Sequence, residues 1–388
     1  MNKWKKIKLG DFSTVQGGYA FKSTEFIKNE IPIIRIGNLN GDTVDLDYNI
    51  CYPQDFWDKN DAYRIKIGDI LIAMSGATVG KIGRYIYNEP ALLNQRVGLI
   101  RINENKGISN YIYQYVKSSL FLNQIQQLSF GCAQPNISAK NIENISIPLP
   151  PLQTQKQIAK TLDTAAELLA MRKQQLAELD NLNKSTFYDM FGDPVTNKKG
   201  WEIRRIMDIA KVETGSTPGR NNINYYDEGV VPWIKTGEIS NGYILRAEEK
   251  ISKTALKETN CKVFPHNTIL VAMYGQGKTR GQAGMLKIEA ATNQACAAIL
   301  PSDLYISEFL FRQLEIKYED LRELGRGGNQ QNLNLSIVKD FKIIVPSLTF
   351  QSQFAEIVTK IEEQKALVKK AIDETQYLFD SLMSEYFE

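Results

Sequence analysis

The side chains that could do chemistry are few, and their spacings do not suit catalysis. A single histidine, His266, sits in a Phe-Pro-His-Asn turn. A Ser-His-Asp triad would have to use it, and a multi-histidine metal site is impossible. Gly275-Gln276-Gly277-Lys278-Thr279 has the look of a phosphate loop, but the glycine that a Walker A pattern needs five residues earlier is Ala272. No Asn-Pro-Pro-Tyr or Asp-Pro-Pro-Tyr run marks an amino-methyltransferase site, and no acid pair falls in a recognisable nuclease pattern. Cys51, Cys132, Cys261 and Cys296 have no short spacing, which excludes a Cys-based zinc ribbon and a disulfide framework. No catalytic residue and no metal ligand is expected on this chain.

What recurs instead is a set of Gly-rich polar loops at the ends of β-like runs. The first half of the chain offers Gly18, Tyr19 and Lys22, then Asn38, then Ser75, Thr78 and Lys81, then Asn94, Gln95 and Arg96, then Gln134 and Asn136. The second half offers Ser216, Thr217 and Arg220, then Lys235, then Tyr274, Gln276, Lys278 and Arg280, then Asn293 and Gln294, then Asn329, Gln330 and Asn332. Glycine lets a backbone approach a partner closely. Arg and Lys suit guanine edges or phosphates, Asn and Gln suit adenine, and hydroxyls and backbone N–H groups hold phosphates. Taken singly each loop reads as a plain turn. Taken together they are an inventory for reading DNA bases from loops.

The elements that position these loops occur twice. From Trp4 and again from Trp201, the same segments run in the same order at an offset of 196 to 201 residues. Val15-Gln16-Gly17-Gly18 is answered by Val212-Glu213-Thr214-Gly215, Ile31–Arg35 by Val231–Lys235, Asp69–Gly76 by Thr268–Gly275, and Asn94-Gln95 by Asn293-Gln294. That period is too long for a solenoid and indicates a duplicated domain with its helix. The copies keep glycines and strands while exchanging polar residues, Ser75 for Tyr274 among them. Two readers of different sequences on one scaffold would look like this, and they suit a bipartite, asymmetric target.

Each copy reads as α+β. Short β-rich runs (31–36, 70–74, 97–102) alternate with Gly and Asn, and one helix is expected at 109–127, with its counterpart near 307–324. The sheet is expected to be strongly bent or barrel-like. Pro148, Pro150 and Pro151 then form a helix-incompatible joint. A stretch without Pro or Gly follows to Phe191, where Gly192-Asp193-Pro194 stops it. Its four-three seam is Ile158, Leu162, Ala165, Leu169, Arg172, Leu176, Leu179, Asn183, Thr186 and Met190. The second copy gives Phe354, Val358, Ile361, Lys365, Val368, Ile372, Thr375, Phe379, Leu382 and Tyr386. Stripes this narrow are not stable alone, so the helices should pack on each other. Connectivity makes them antiparallel, about a pseudo-two-fold axis, with a helix over 156–191 running about 54 Å. The domain plan is residues 1–150, a helical spacer over 151–194, a second domain over 195–346 and a second spacer over 347–388.

Composition permits this reading without demanding it. The 388 residues are 43% hydrophobic and 23% charged, with a net charge of +3. Residues 1–150 carry 17 Lys+Arg against 13 Asp+Glu, and residues 201–346 carry 19 against 17. A non-specific nucleic-acid coat is usually more basic, whereas a specific reader can concentrate its charge on one face. No signal-peptide run follows the N-terminal lysines, and no 18-residue apolar stretch exists, so a cytoplasmic protein without membrane contact is expected.

The chain resembles the specificity (S) subunit of type I restriction–modification systems across its full length. The resemblance is carried by the joints Pro148-Leu149-Pro150-Pro151-Leu152-Gln153-Thr154-Gln155 and Val345-Pro346-Ser347-Leu348-Thr349-Phe350-Gln351-Ser352-Gln353. It is also carried by the helix end Lys184–Pro194 and by the core Asp69–Gly76. It implies two target-recognition domains, each reading half of a split sequence in double-stranded DNA. It implies that the helices act as spacer and as docking surface for two modification subunits, with restriction subunits completing the complex. S-adenosylmethionine, ATP and Mg2+ would then sit on those partners and none on this chain. The second joint lacks the double proline, which leaves its rigidity open. A coiled-coil scaffold with protein-binding end domains is the alternative; salt-independent duplex binding would favour it. An autonomous nuclease or NTPase would show activity from the isolated chain.

Overall fold

The computed structural model describes residues 4–129, 135–275, 277–326 and 332–387. It divides into two compact units, residues 1–172 with 371–388, and residues 173–370.

Unit 1 contains β1 (Lys6–Lys8), β2 (Ser13–Gly17), β3 (Ile31–Ile34), β4 (Cys51–Tyr52), α1 (Gln54–Lys59), β5 (Arg64–Ile65), β6 (Ile70–Ala73), β7 (Ile82–Arg84), β8 (Ala91–Leu93), β9 (Val97–Ile102), α2 (Ser109–Val116), α3 (Ser119–Ser129), α4 (Ala139–Glu143) and β10 (Ser146–Pro148). One sheet has the order β2-β9-β6-β7, and a second has the order β4-β3-β8-β5. The run Ile70–Ala73 is apolar throughout because β6 is covered on both faces. Ile70 and Ile72 enter a core shared with α2, α3 and α4, while Leu71 and Ala73 face the core under the second sheet. β1 pairs antiparallel with β10, and Leu149 N–H donates to Lys5 O at 3.0 Å, so the N-terminal strand is laced to the proline joint.

The single helix expected over 109–127 is two helices. The break falls at Lys117-Ser118, where the Ser118 hydroxyl accepts from Phe121 N–H at 3.3 Å and so starts α3 with its own cap.

From this joint α5 (Leu152–Phe191) continues for 40 residues. Its first turns belong to unit 1. There Ile158, Ala159 and Leu162 pack with Phe379, Leu382, Met383, Tyr386 and Phe387 from the end of the C-terminal helix, so early residues of one helix meet late residues of the other. Phe387 reaches the domain itself, with ring centroids 5.5 Å from Tyr111 and 5.2 Å from Tyr115. Arg172 donates to Ala371 O and to the Thr375 hydroxyl, so two polar seam positions satisfy each other.

Unit 2 repeats the plan with β11 (Ile203–Arg205), α6 (Ile206–Ile209), β12 (Val212–Thr214), β13 (Val231–Ile234), β14 (Gly242–Ile244), β15 (Glu249–Ile251), α7 (Lys253–Glu258), β16 (Ile269–Ala272), β17 (Ala283–Leu286), β18 (Ala291–Thr292), β19 (Cys296–Ile299), α8 (Ser307–Ile316), α9 (Tyr318–Glu323), α10 (Leu335–Asp340), β20 (Lys342–Ile344) and the part of α11 (Leu348–Phe387) up to residue 370. The sheets run β12-β19-β16-β17-β14 and β15-β13-β18. Ile269 and Val271 face the helices while Leu270 and Ala272 face the second sheet, as in β6. The fifth strand, β14, lies where unit 1 has only the isolated bridge between Thr43 and Arg84. The helix expected near 307–324 is likewise split, between Ile316 and Tyr318.

The end of α5 and the start of α11 pair antiparallel within this unit. Phe187, Phe191, Phe309 and Phe354 form one aromatic cluster, with centroids between 4.9 and 6.2 Å apart. The polar seam positions again find partners: Asn183 donates to Glu362 Oε1 at 2.7 Å, and Lys365 pairs with Asp180 at 2.6 Å and Glu362 at 2.8 Å. Such pairs fix register, because a slipped seam would bury them unpaired. Gly192, at φ +75°, ends α5 in the left-handed conformation.

Candidate nucleic-acid interface

In unit 1 the ends of several strands are stitched into one row by backbone hydrogen bonds. The row begins at Gly18. A Cβ there would lie 2.0 Å from Leu93 O, so only glycine lets the chain leaving β2 lie against β8. Tyr19 N–H then donates to Leu93 O at 2.8 Å, and Gln95 N–H donates to Tyr19 O at 2.9 Å. Arg96 O accepts from Met74 N–H at 2.9 Å. Beyond Met74, the Ser75–Asn136 bridge is flanked by Gly76 N–H to Pro135 O at 3.0 Å and Ile137 N–H to Met74 O at 2.9 Å. The row therefore reads Tyr19, Gln95-Arg96, Ser75, Asn136. All but Ser75 are exposed, and the Ser75 hydroxyl is buried without a protein partner. Tyr19 is held from behind by Phe21, Phe56 and Tyr63, with centroids at 5.1, 4.9 and 5.3 Å.

Unit 2 builds the same row. A Cβ on Gly215 would lie 1.9 Å from Thr292 O, and Ser216 N–H donates to that oxygen at 2.9 Å. The Thr217 hydroxyl donates to Gln294 Oε1. Met273 N–H donates to Ala295 O at 2.9 Å, and Leu333 N–H to Met273 O at 3.1 Å. The row reads Ser216-Thr217, Gln294, Tyr274, Asn332. Three of its backbone bonds repeat those of unit 1, the Thr217–Gln294 side-chain bond stands where unit 1 has the Gln95–Tyr19 backbone bond, and most of its side chains differ.

Several residues singled out in the sequence have partners within the frame. Asn94 is buried, and its Oδ1 accepts from Arg96 N–H at 3.2 Å; Asn293 does the same for Ala295 N–H at 3.1 Å. In each Asn-Gln pair the asparagine shapes the turn and the glutamine faces outward. Asn38 closes a local turn, accepting from Arg35 N–H and donating to Asp45 O, each at 2.9 Å. Arg220 is bound by both Glu249 oxygens and lies over the rings of Tyr226 (4.4 Å) and Trp233 (5.1 Å). Lys235 lies 3.3 Å from Glu248 and 3.5 Å from Glu249. The hydrogen bond to Glu249 raises the Arg220 guanidinium above its usual range, and that to Glu248 raises the Lys235 ammonium, so both cations are already neutralised.

Lys22 is exposed beside Glu25 at 3.5 Å. Thr78 and Lys81 are exposed on the β6–β7 loop, and Lys278 and Arg280 lie on the β16–β17 loop. Gln134, Gln276, Asn329 and Gln330 fall outside the described residues. The residues that sequence reasoning missed are the supports: Phe56 and Tyr63 behind Tyr19, and Tyr318 and Arg322 beneath the β16–β17 loop. Nothing in their local sequence links them to loops 37 to 45 residues away.

His266 is exposed in its turn. Cys51, Cys261 and Cys296 are free and buried, and burial pushes the Cys296 thiol to about 12, which removes it as a nucleophile. Among the described residues no group of three or more His, Cys, Asp or Glu could hold a metal ion, and no helix is long and apolar enough to cross a membrane.

The family model described as "Type I restriction modification DNA specificity domain" matches residues 1–181 and again 198–376. The specificity subunit of the type I restriction enzyme EcoBI from Escherichia coli is 25% identical over 424 residues, covering 100% of this chain and 86% of that protein. The MjaIX specificity subunit from Methanocaldococcus jannaschii is 23% identical over 333 residues, covering 81% and 76%. In fold, the chain is similar to the crystal structure of a type I restriction–modification S subunit from M. genitalium, with a TM-score of 0.65 at 15% identity over 100% and 96% of the two chains. A chain solved for complex assembly and conformational transition of the type I R-M system gives a TM-score of 0.59 at 15% identity, over 99% and 97%.

Proposed function

From the premise that this chain belongs to the family of type I restriction–modification DNA specificity proteins, we propose that each unit reads one half of a bipartite, asymmetric sequence in double-stranded DNA. The observation that carries this reading is the pair of rows, alike in backbone and different in side chain. Tyr19, Gln95, Arg96 and Asn136 would read one half-site, with the Ser75 hydroxyl buried between them, and Thr217, Gln294, Tyr274 and Asn332 the other. Arg suits a guanine edge, Gln and Asn suit adenine, and hydroxyls take either bases or phosphates. The target-recognition domains are residues 1–150 and 195–346. The helical segments 151–194 and 347–388 set the half-site spacing and dock two modification subunits.

The chain supplies sequence choice and no bond-making group. S-adenosylmethionine belongs to the modification subunits, and ATP and Mg2+ to the restriction subunits that complete the complex. The chain works in the cytoplasm, where the DNA is.

Methylome sequencing of a host expressing this chain with its modification subunit tests the reading. The expected result is one split, non-palindromic methylated sequence. Exchanging residues 1–150 for those of a relative should change one half only. A change in both halves, or in neither, would refute the assignment of one unit to each half-site.

A further inference from the structure

The two rows carry their unpaired cations in different places. In unit 1, Arg96 lies within the row, exposed and without an ion pair among the described residues. The residue at that backbone position in unit 2 is Ala295, which accepts the same methionine N–H bond. The positive charge of unit 2 lies instead on the β16–β17 loop and the helix beneath it.

The correspondence of the two loops is fixed by their hydrogen bonds. Gly80 N–H donates to Ala73 O at 3.0 Å, and Gly281 N–H donates to Ala272 O at 2.9 Å. Gly80 abuts the side chains of Leu122 and Ile125, whereas Gly281 abuts Arg322. Unit 1 therefore has the apolar Val79 and Leu122 where unit 2 has Arg280 and Arg322. Arg322 Nη2 donates to Gly277 O at 2.5 Å and Nη1 to the Tyr318 hydroxyl, which donates to Lys278 O at 2.6 Å. The loop that carries Lys278 and Arg280 is thus pinned to α9.

These cations lack counterions. Several cations nearer the row of unit 2 are paired, Arg220 with Glu249, Lys235 with Glu248, and Lys211 and Lys262 with Glu213. Lys278, Arg280 and Arg322 have no ion pair among the described residues, although Glu319 and Asp320 lie on the same helix as Arg322. The Nε atoms of Arg280 and Arg322 are both buried without an acceptor. A buried guanidinium donor left unmet is costly, and here there are two, one on the loop and one on the helix that pins it, in side chains whose charge has no counterion among the described residues.

We propose that Lys278, Arg280 and Arg322 form a clamp for backbone phosphate of the duplex at the flank of the unit 2 row, where the equivalent loop of unit 1 offers Lys81 alone. The proposal rests on the reading of the rows as DNA interfaces. Arg and Lys beside a pinned loop suit phosphate oxygens, and contacts of this kind position the duplex without choosing its sequence.

The test measures affinity across a salt series for the full chain with its modification subunits. The probes are a duplex carrying the methylated sequence and a random-sequence duplex. Lys278→Gln with Arg280→Gln should flatten the log–log salt dependence by about one to two, at roughly 0.9 for each lost phosphate contact. Both duplexes should weaken by a similar factor, and the methylated sequence should not change. Arg280→Lys, which keeps the charge, should keep most of the slope. An unchanged slope in the double variant, a changed second half-site, or an equal loss in Arg280→Lys would each overturn the clamp. Failure of the wild-type complex to bind either duplex would overturn the reading of the rows as well.

Discussion

Gln155 and Gln351 are buried in the same bonds. Gln155 Oε1 accepts the backbone N–H of Ile108 at 2.8 Å while its Nε2 donates to Pro150 O at 2.7 Å. Gln351 repeats both bonds with Ile306 at 2.9 Å and Pro346 at 2.8 Å. Ile108 and Ile306 precede α2 and α8 and lack a side-chain cap of their own, so each glutamine ties the first turn of a long helix to a domain helix and to the proline joint. The single-proline joint of the second copy holds the same geometry as the double-proline joint of the first.

Replacing either glutamine by methionine keeps the volume and removes both bonds. Gln155→Met should destabilise unit 1, and Gln351→Met unit 2, each by about 2–4 kcal/mol, because two buried backbone groups lose their partners. Thermal unfolding followed by circular dichroism should show a lowered midpoint. A midpoint indistinguishable from wild type would mean that water replaces the amide without cost.

The joint of unit 2 also holds an ion cluster. Arg312 binds Glu308, Glu315 and Glu362, each at 2.9 Å. Arg312→Met leaves Glu315 without a cation, and Glu308 and Glu362 with only Lys287 and Lys365, and should cost about 3–5 kcal/mol at neutral pH. The loss should shrink in acid as those carboxylates protonate, a trend readable from denaturation midpoints across pH.

Glu315 gives a second pH signature. Burial raises its carboxyl to about 7 despite the opposing pull of Arg312. A carboxyl that binds its proton more tightly folded than unfolded loses stability as pH rises from the ordinary carboxylate range to about 7. Glu315→Gln should therefore match wild type near pH 4 and exceed it above pH 7, by roughly 3 kcal/mol at about 1.4 kcal/mol for each unit of the rise. Parallel pH–stability curves for the two proteins would contradict this.

The parts legible in the sequence were those fixed by local pattern. Ile70–Ala73 and Ile269–Ala272 read as strands because both faces are apolar, and the long helices read from their seams. What escaped depends on residues far apart in the chain. Arg220 and Lys235 read as candidates for contacting DNA with no sign of a partner in the chain, but β13 pairs with β15 and brings Glu249 opposite Trp233, beside both. Asn94 and Gln95 read as equals, yet the turn consumes the asparagine and presents the glutamine. The break at Ser118 was hidden because the apolar spacing continues through it while the hydroxyl caps a new helix.

Gly18 and Gly215 test the frame of the rows. Any Cβ at either position meets a carbonyl oxygen at about half the normal contact distance, so Gly18→Ala must push the chain off β8. The expected cost exceeds about 2 kcal/mol. The expected phenotype of Gly18→Ala is loss of discrimination in one half-site, and of Gly215→Ala in the other, scored by methylome sequencing. Retention of the full methylated sequence by both variants would show that the rows do not read DNA.

Gln95 and Gln294 occupy the same place in the two rows but offer different chemistry. Gln95 is exposed and its side chain has no partner among the described residues, so its amide can both donate and accept, the pattern that pairs bidentately with adenine. The oxygen of Gln294 is engaged by the Thr217 hydroxyl, which leaves its Nε2 to donate to a base acceptor. Gln95→Ala should relax one position of one half-site by about 1–3 kcal/mol, roughly 5- to 150-fold in competition binding. Gln294→Ala should relax a position in the other half-site by less, since one bond is lost instead of two. Thr217→Val frees the Gln294 oxygen and should move that second position toward adenine. If Gln95→Ala and Gln294→Ala altered the same half-site, the two rows could not be separate readers, and the divergence of their side chains would need another cause.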